Sequence, residues 1–107
     1  MEIVYSLENQ LAAEFLAMIK ECKRFSYTPT IFIGKFHRDG AVATAKELGG
    51  SPKYHDGLER LWKEKRLDIS VEAIMIKEKY NTLFTSEELK NAKHKLTELG
   101  YNLNKPT

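Results

Sequence analysis

The spacing of apolar residues near the start of this chain most constrains what it can fold into. Leu7, Leu11, Phe15, Met18 and Cys22 recur at three- and four-residue steps, and Ala12, Leu16 and Ile19 widen the stripe. An α-helix gathers residues at that spacing onto one face, whereas a strand requires alternation. Ser6 stands where a hydroxyl can cap the first turn. The spacing therefore predicts a helix over residues 7–24 with one broad face seeking a core.

Similar signals recur down the chain. Thr28-Pro29 reads as the N-cap and first residue of a second helix, with Phe32, Ile33 and Phe36 sharing its apolar face and Asp39-Gly40 as its stop. The run TIFIGKF also has the β-branched content of a short strand, and the cap signals favour helix. Ala41–Leu48 reads as a short helix ended by Gly49-Gly50, and Ser51–Gly57 as a loop. A helix from Leu58 to Lys65 would turn Leu58, Leu61 and Trp62 inward and Glu59, Arg60, Lys63 and Glu64 outward. Ser70 then caps a helix running through Lys79, with Glu72 in its first turn beside the positive end of the dipole.

The last helix has the clearest start. Thr85 and Glu88 have capping-box spacing, and Phe84 and Leu89 are placed as a hydrophobic staple. Leu89, Ala92, Leu96 and Leu99 line one side, and Gly100 suits the left-handed residue after the end. The pattern as a whole predicts an all-α, compact single domain of about six short helices. Residues 1–26 would hold an N-terminal helix, part of the core or docked on it. Residues 27–101 would form the main helical domain, and 102–107 a frayed tail.

Length and charge narrow the partners. A chain of 107 residues supplies one core, and no run approaches the ~18 apolar residues of a membrane helix. The first ten residues lack a basic segment before an apolar run. A cytoplasmic protein without a membrane partner is expected. The net charge of +2 is not polarised, since residues 1–50 carry equal numbers of acidic and basic side chains. That argues against wrapping phosphate backbone along the whole molecule and leaves room for local basic patches. Cys22, the only cysteine, cannot form an intrachain disulfide and falls on the apolar side of the first helix, so an inert thiol is expected.

No catalytic constellation stands out. Asp68 and Glu72, in RLDISVEA, would share a face only if one helix ran through both. Ile69-Ser70 marks a boundary between them, so they read as elbow residues rather than an acid/base pair. His37, His55 and His94 fall on different elements without metal-ligand spacing, and His55-Asp56 reads as turn chemistry. Gly49-Gly50 follows a helix rather than a strand, unlike a phosphate-cradling loop. The triplets Glu21-Cys22-Lys23 and Glu88-Leu89-Lys90 match the Glu-x-Lys of some nucleases, but on helices. The expectation is no enzyme, no metal and no cofactor.

Basic side chains offer a different route to function. Lys53, Arg60, Lys63, Lys65 and Arg66 crowd one region, and Lys90, Lys93 and His94 share the outer face of the last helix. Together they form a candidate partner or nucleic-acid surface. Glu59, Glu64, Glu87 and Glu98 are interspersed, as on a plain solvated face. Ala45–Ser51 resembles the first helix and turn of a helix-turn-helix, but Pro52 and Gly57 interrupt the place of a recognition helix.

Three segments, YTPTIFIGKFHRDGAVATAKELGG, GLERLWKEKRLDISVEAIM and LFTSEELKNAKHKLTELGY, together resemble a family of small bacterial and phage-borne domains. The resemblance implies an all-helical module and lends no catalytic residues. Such domains occur alone or beside restriction-type and other defence-related proteins, which implies a nucleic-acid or defence setting. Residues 1–26 fall outside it, and the wide apolar face of the first helix would serve the core or a homodimer partner. Two functions fit these features. One is a non-catalytic helical interaction module binding a protein or nucleic-acid–protein assembly, in bacterial defence or phage counter-defence. The other is a small DNA-binding regulator with a divergent helix-turn-helix.

Overall fold

The computed structural model describes residues 6–53 and 56–103. The histidine of the expected turn, His55, and the last residues of the expected tail lie outside the described residues, as does the start of the N-terminal stretch. Among the described residues every regular element is helical. The radius of gyration, 13.2 Å, matches the ~13 Å of a compact domain of this size.

Helix α1, Leu7–Lys23, forms as its spacing dictates. Ser6 Oγ accepts from the Asn9 N–H at 3.1 Å, and Leu11, Phe15, Met18 and Cys22 are buried. The helix closes through Ser26, a non-glycine residue at φ 60°. The Tyr27 N–H reaches back to the Cys22 carbonyl at 3.0 Å and the Ser26 N–H to the Lys23 carbonyl at 3.1 Å, the bonds of a Schellman ending.

Helix α2, Thr30–Asp39, takes the helical reading of TIFIGKF, and the reason is aromatic packing. The Phe15 ring meets Phe32 edge-on with centroids 5.1 Å apart and Phe36 at 6.0 Å, an arrangement that adds to area burial. Its start differs from expectation. Pro29, not Thr28, occupies the N-cap position without a side-chain cap, and the Thr28 carbonyl accepts from the Thr30 N–H at 2.8 Å. Gly40, at φ 89°, ends the helix as anticipated.

Helix α3, Ala41–Thr44, runs directly into a π turn, Ala45–Gly49, rather than continuing as α-helix to Leu48. The Gly50 N–H bonds the Ala45 carbonyl, five residues back, at 2.9 Å. Gly49 and Gly50 do more than stop a helix. A Cβ at Gly49 would lie 2.4 Å from Met75 Sδ, and one at Gly50 would lie 2.7 Å from the Lys46 carbonyl oxygen. Glycine is required here by close approach rather than by positive φ.

Helix α4, Asp56–Lys63, starts two residues earlier than expected and closes through Lys65 at φ 60°. Leu58 and Leu61 are buried, but Trp62 is 48% exposed, which corrects its inward assignment. A helix this short docks by the narrow Leu58–Leu61 edge, and Trp62 lies about 100° round from Leu61. The elbow follows as a 3₁₀ turn, Leu67–Ile69. Ser70 caps α5, Val71–Met75: its Oγ accepts from the Ala73 N–H at 3.0 Å and donates to the Leu67 carbonyl at 2.7 Å.

Helix α5 ends at Met75 instead of reaching Lys79, and a 3₁₀ segment, Glu78–Leu83, replaces its last turn. The cause is Tyr80, which is fully buried and donates its hydroxyl to the Glu14 carboxylate on α1. Lys77 and Lys79 pair with the same carboxylate. Partial burial pushes the Glu14 carboxyl up, but bonds from Lys77 and Tyr80 outweigh it and hold the group below its ordinary range. Helix α6, Ser86–Glu98, has both bonds of its capping box, at 3.1 and 2.9 Å, with Phe84 buried just before it and Gly100 at φ 84° after it.

Candidate functional site

The two carboxylates of RLDISVEA part company at the elbow. Asp68 is exposed and held by Arg66 through Nε at 3.1 Å and Nη2 at 3.3 Å. Glu72 turns inward, and its side chain is 6% exposed. Lys95, on α6 and with a side chain 0% exposed, donates to Glu72 Oε2 at 2.8 Å and to the Leu48 carbonyl at 3.0 Å. Glu72 is therefore an internal ion-pair partner rather than only a first-turn carboxylate answering the dipole. Lys95 is a functional-site residue absent from the sequence-based expectation, which names its exposed neighbours Lys93 and His94. The signal was its place three residues after Ala92 and four before Leu99, on the core stripe.

Beside Glu72 lies a hollow of about 220 Å³. Met18 and Cys22 of α1 form one wall, Tyr27 and the first turn of α2 a second, and Leu58 and Leu61 of α4 a third. Leu48 and the Ser70–Glu72 corner complete it. The Cys22 thiol donates to Met18 Sδ at 3.8 Å. Burial pushes that thiol up to about 11, partly opposed by Arg66 and Arg60. Little thiolate exists near neutral pH, in keeping with the inert thiol the sequence led one to expect. A second groove near Tyr101 contains the carboxylates Glu14, Glu21 and Asp68, each already ion-paired.

The basic residues expected on the surface separate into two kinds, clasps within the fold and exposed side chains. Arg60 and Arg66 are structural clasps. Arg60 Nη2 donates to the Phe25 carbonyl at 2.9 Å, its guanidinium lies 5.0 Å from the Tyr27 ring centroid, and Nε pairs with Glu64 at 2.9 Å. Arg60 is thus not the free outward cation expected. Arg66 bridges Asp68 and Glu21, and bonds from Arg66 and Arg24 hold the Glu21 carboxyl below its ordinary range. Lys63 and Lys65 are exposed around the end of α4. Lys90, Lys93 and His94 are exposed on α6, where His94 lies 3.2 Å from Glu98. Lys53 is exposed in the stretch leaving Gly50, whose carbonyl accepts from Asn91 of α6 at 2.9 Å.

Two other expectations concern metals and membranes. Among the described residues, His37 and His94 lie on separate helices, and no group of three or more His, Cys, Asp or Glu side chains is placed to hold a metal ion. No described helix is long and apolar enough to cross a membrane. Comparison with protein-family models, curated proteins and solved structures returned no match.

Proposed function

We propose that the chain is a non-catalytic helical interaction module whose contact surface is the outward side of α4 and its C-terminal turn. The observation that carries this reading is Trp62, 48% exposed and flanked by exposed Lys63 and Lys65. Tryptophan on a surface contributes disproportionately to protein interfaces. Two lysines beside it suit a protein partner with an apolar hollow rimmed by carboxylates. The resemblance of residues 27–101 to bacterial and phage-borne domains supports a cytoplasmic setting in defence or counter-defence, where the partner is a protein or a nucleic-acid–protein assembly.

The alternative is a DNA-binding regulator using Leu58–Arg66 and the flanking Gly49–Gly57 loop, and within that stretch the Arg60 and Arg66 side chains are occupied within the fold. What remains for phosphate is Lys63, Lys65, Lys53 and the α6 residues Lys90, Lys93 and His94, spread over several elements. That dispersal favours the protein-directed reading.

Immobilised wild-type chain and its Trp62→Ala variant, offered the same native lysate, test the proposal. A protein retained by the first and lost by the second is then rebound in purified form. Its dissociation constant is expected to rise at least about tenfold in the variant. A duplex DNA shift at low salt that vanishes in the Lys63→Ala/Lys65→Ala variant would sink the protein-directed reading in favour of the regulator.

A further inference from the structure

We propose that the hollow between α1, α2, α4 and the start of α5 is a binding site for a neutral, single-ring aromatic small molecule. Its volume is about 220 Å³, against the roughly 150 Å³ in which a protein core holds benzene, and in proportion it admits roughly nine non-hydrogen atoms. Left without an occupant, an apolar hollow forfeits the dispersion contacts its lining would otherwise make. A ring restores them. Aromatic character follows from the walls, where the thioether of Met18 and the rings of Tyr27 and Phe32 come together. Sulfur and aromatic edges favour an aromatic guest over a purely aliphatic one. Ile31 lines the same hollow and is 56% exposed, so the hollow reaches the surface at the first turn of α2.

Neutrality follows from the polar groups. The Ser70 hydroxyl is committed to Leu67 and Ala73, and among the described residues no buried side-chain nitrogen or oxygen lacks a partner. The charge of Glu72 is balanced by Lys95, which does not itself line the hollow. Among the described residues the lining holds no cation, so an anionic guest would be brought beside the Glu72 carboxylate with no described side chain there to offset it. A cationic guest would compete with an ammonium already seated at 2.8 Å. An uncharged ring meets neither penalty. This site is separate from the α4 contact surface, since Leu58 and Leu61 line it and Trp62 does not.

The test titrates the full chain by calorimetry with acetophenone, benzoate and benzamidinium, isosteres that differ in charge. The rate at which a small methanethiosulfonate labels Cys22, the only cysteine, is followed alongside. Acetophenone is expected to bind saturably, the two ions at least about ten times more weakly, and labelling of Cys22 to slow as acetophenone saturates. The variant Leu61→Phe, which fills the hollow, should lose acetophenone binding. If that variant fails to fold, protection of wild-type Cys22 carries the localisation. Absence of saturable acetophenone binding would overturn the proposal and return the hollow to a socket for a side chain of a protein partner. Benzoate binding as well as acetophenone, or acetophenone binding without slowing the labelling, would overturn it too.

Discussion

Two faces of the same few residues are built on opposite principles. On one side of Glu72 and Leu48, α5 and α6 press against the π turn so closely that Gly49 and Gly50 have no room for a Cβ. There Lys95 is sealed between a carboxylate and a carbonyl. On the other side, Leu48 and Glu72 border the open hollow. The first side specifies geometry through polar bonds and contact, and the second leaves space. The difference teaches that a buried ion pair in a small helical domain can act as a partition between a packed region and a cavity.

Breaking the packed side should cost most. Lys95→Ala leaves Glu72 buried without its cation and should lower stability by about 3–5 kcal/mol, read from urea unfolding. A Glu72→Leu/Lys95→Met double variant should lose far less, because neither charge remains buried and unpaired. If the double variant is as unstable as the single one, the polar partition is not what sets the cost. Gly49→Ala comes next, at about 1–3 kcal/mol, since Met75 and Val71 must both move to admit the methyl group.

At the boundary, Ser70→Ala removes the cap of α5 and should cost ~0.5–2 kcal/mol. On the α4 side, Lys65→Gly relieves a non-glycine residue at φ 60°. It should raise stability by about 0.5–1 kcal/mol in thermal unfolding, less whatever entropy glycine adds to the unfolded chain.

The smallest effect is a pH dependence on the packed side. Burial pushes the Glu88 carboxyl up, but the Thr85 N–H and Lys46 outweigh it and hold the group below its ordinary value. A carboxyl depressed in the folded state contributes stability that is complete above the unfolded value, about 4.3. That contribution disappears as pH falls through the folded value. The melting-temperature gap between wild type and Glu88→Gln should therefore be constant near neutrality and close in acid. A gap that persists at pH well below the carboxylate range would assign the effect to packing instead.

Much of the fold was legible where local chemistry decides it. The Ser6, Ser70 and Thr85 caps, the glycine stop at Gly40 and the three-and-four stripe of α1 each act within a few residues, so the sequence carries them directly. The misreadings share a cause in contacts distant along the chain. Tyr80 ends α5 early because its partner Glu14 is on α1, and Arg60 is drawn in by Phe25 and Tyr27. Trp62 is outward because α4 docks by an edge narrower than its apolar residues suggest. Of the candidate surface, the exposure of Lys63, Lys90 and Lys93 followed from helical phase, whereas Lys65 is exposed in the left-handed turn after α4. The hollow could not be read, since its walls come from four helices and no sequence window contains them.

The π turn can also be viewed as a matter of phase. Reaching back five residues instead of four inserts one extra position into a helix, rotating everything after it by about 100° relative to an uninterrupted α-helix. Leu48 thereby presents its carbonyl to Lys95 while its side chain borders the hollow. Removing a single residue between Ala45 and Leu48 would restore the ordinary phase and swing one of those two duties out of place. The turn thus ties the packed region and the cavity to one residue of chain length, so that neither can shift its phase without the other.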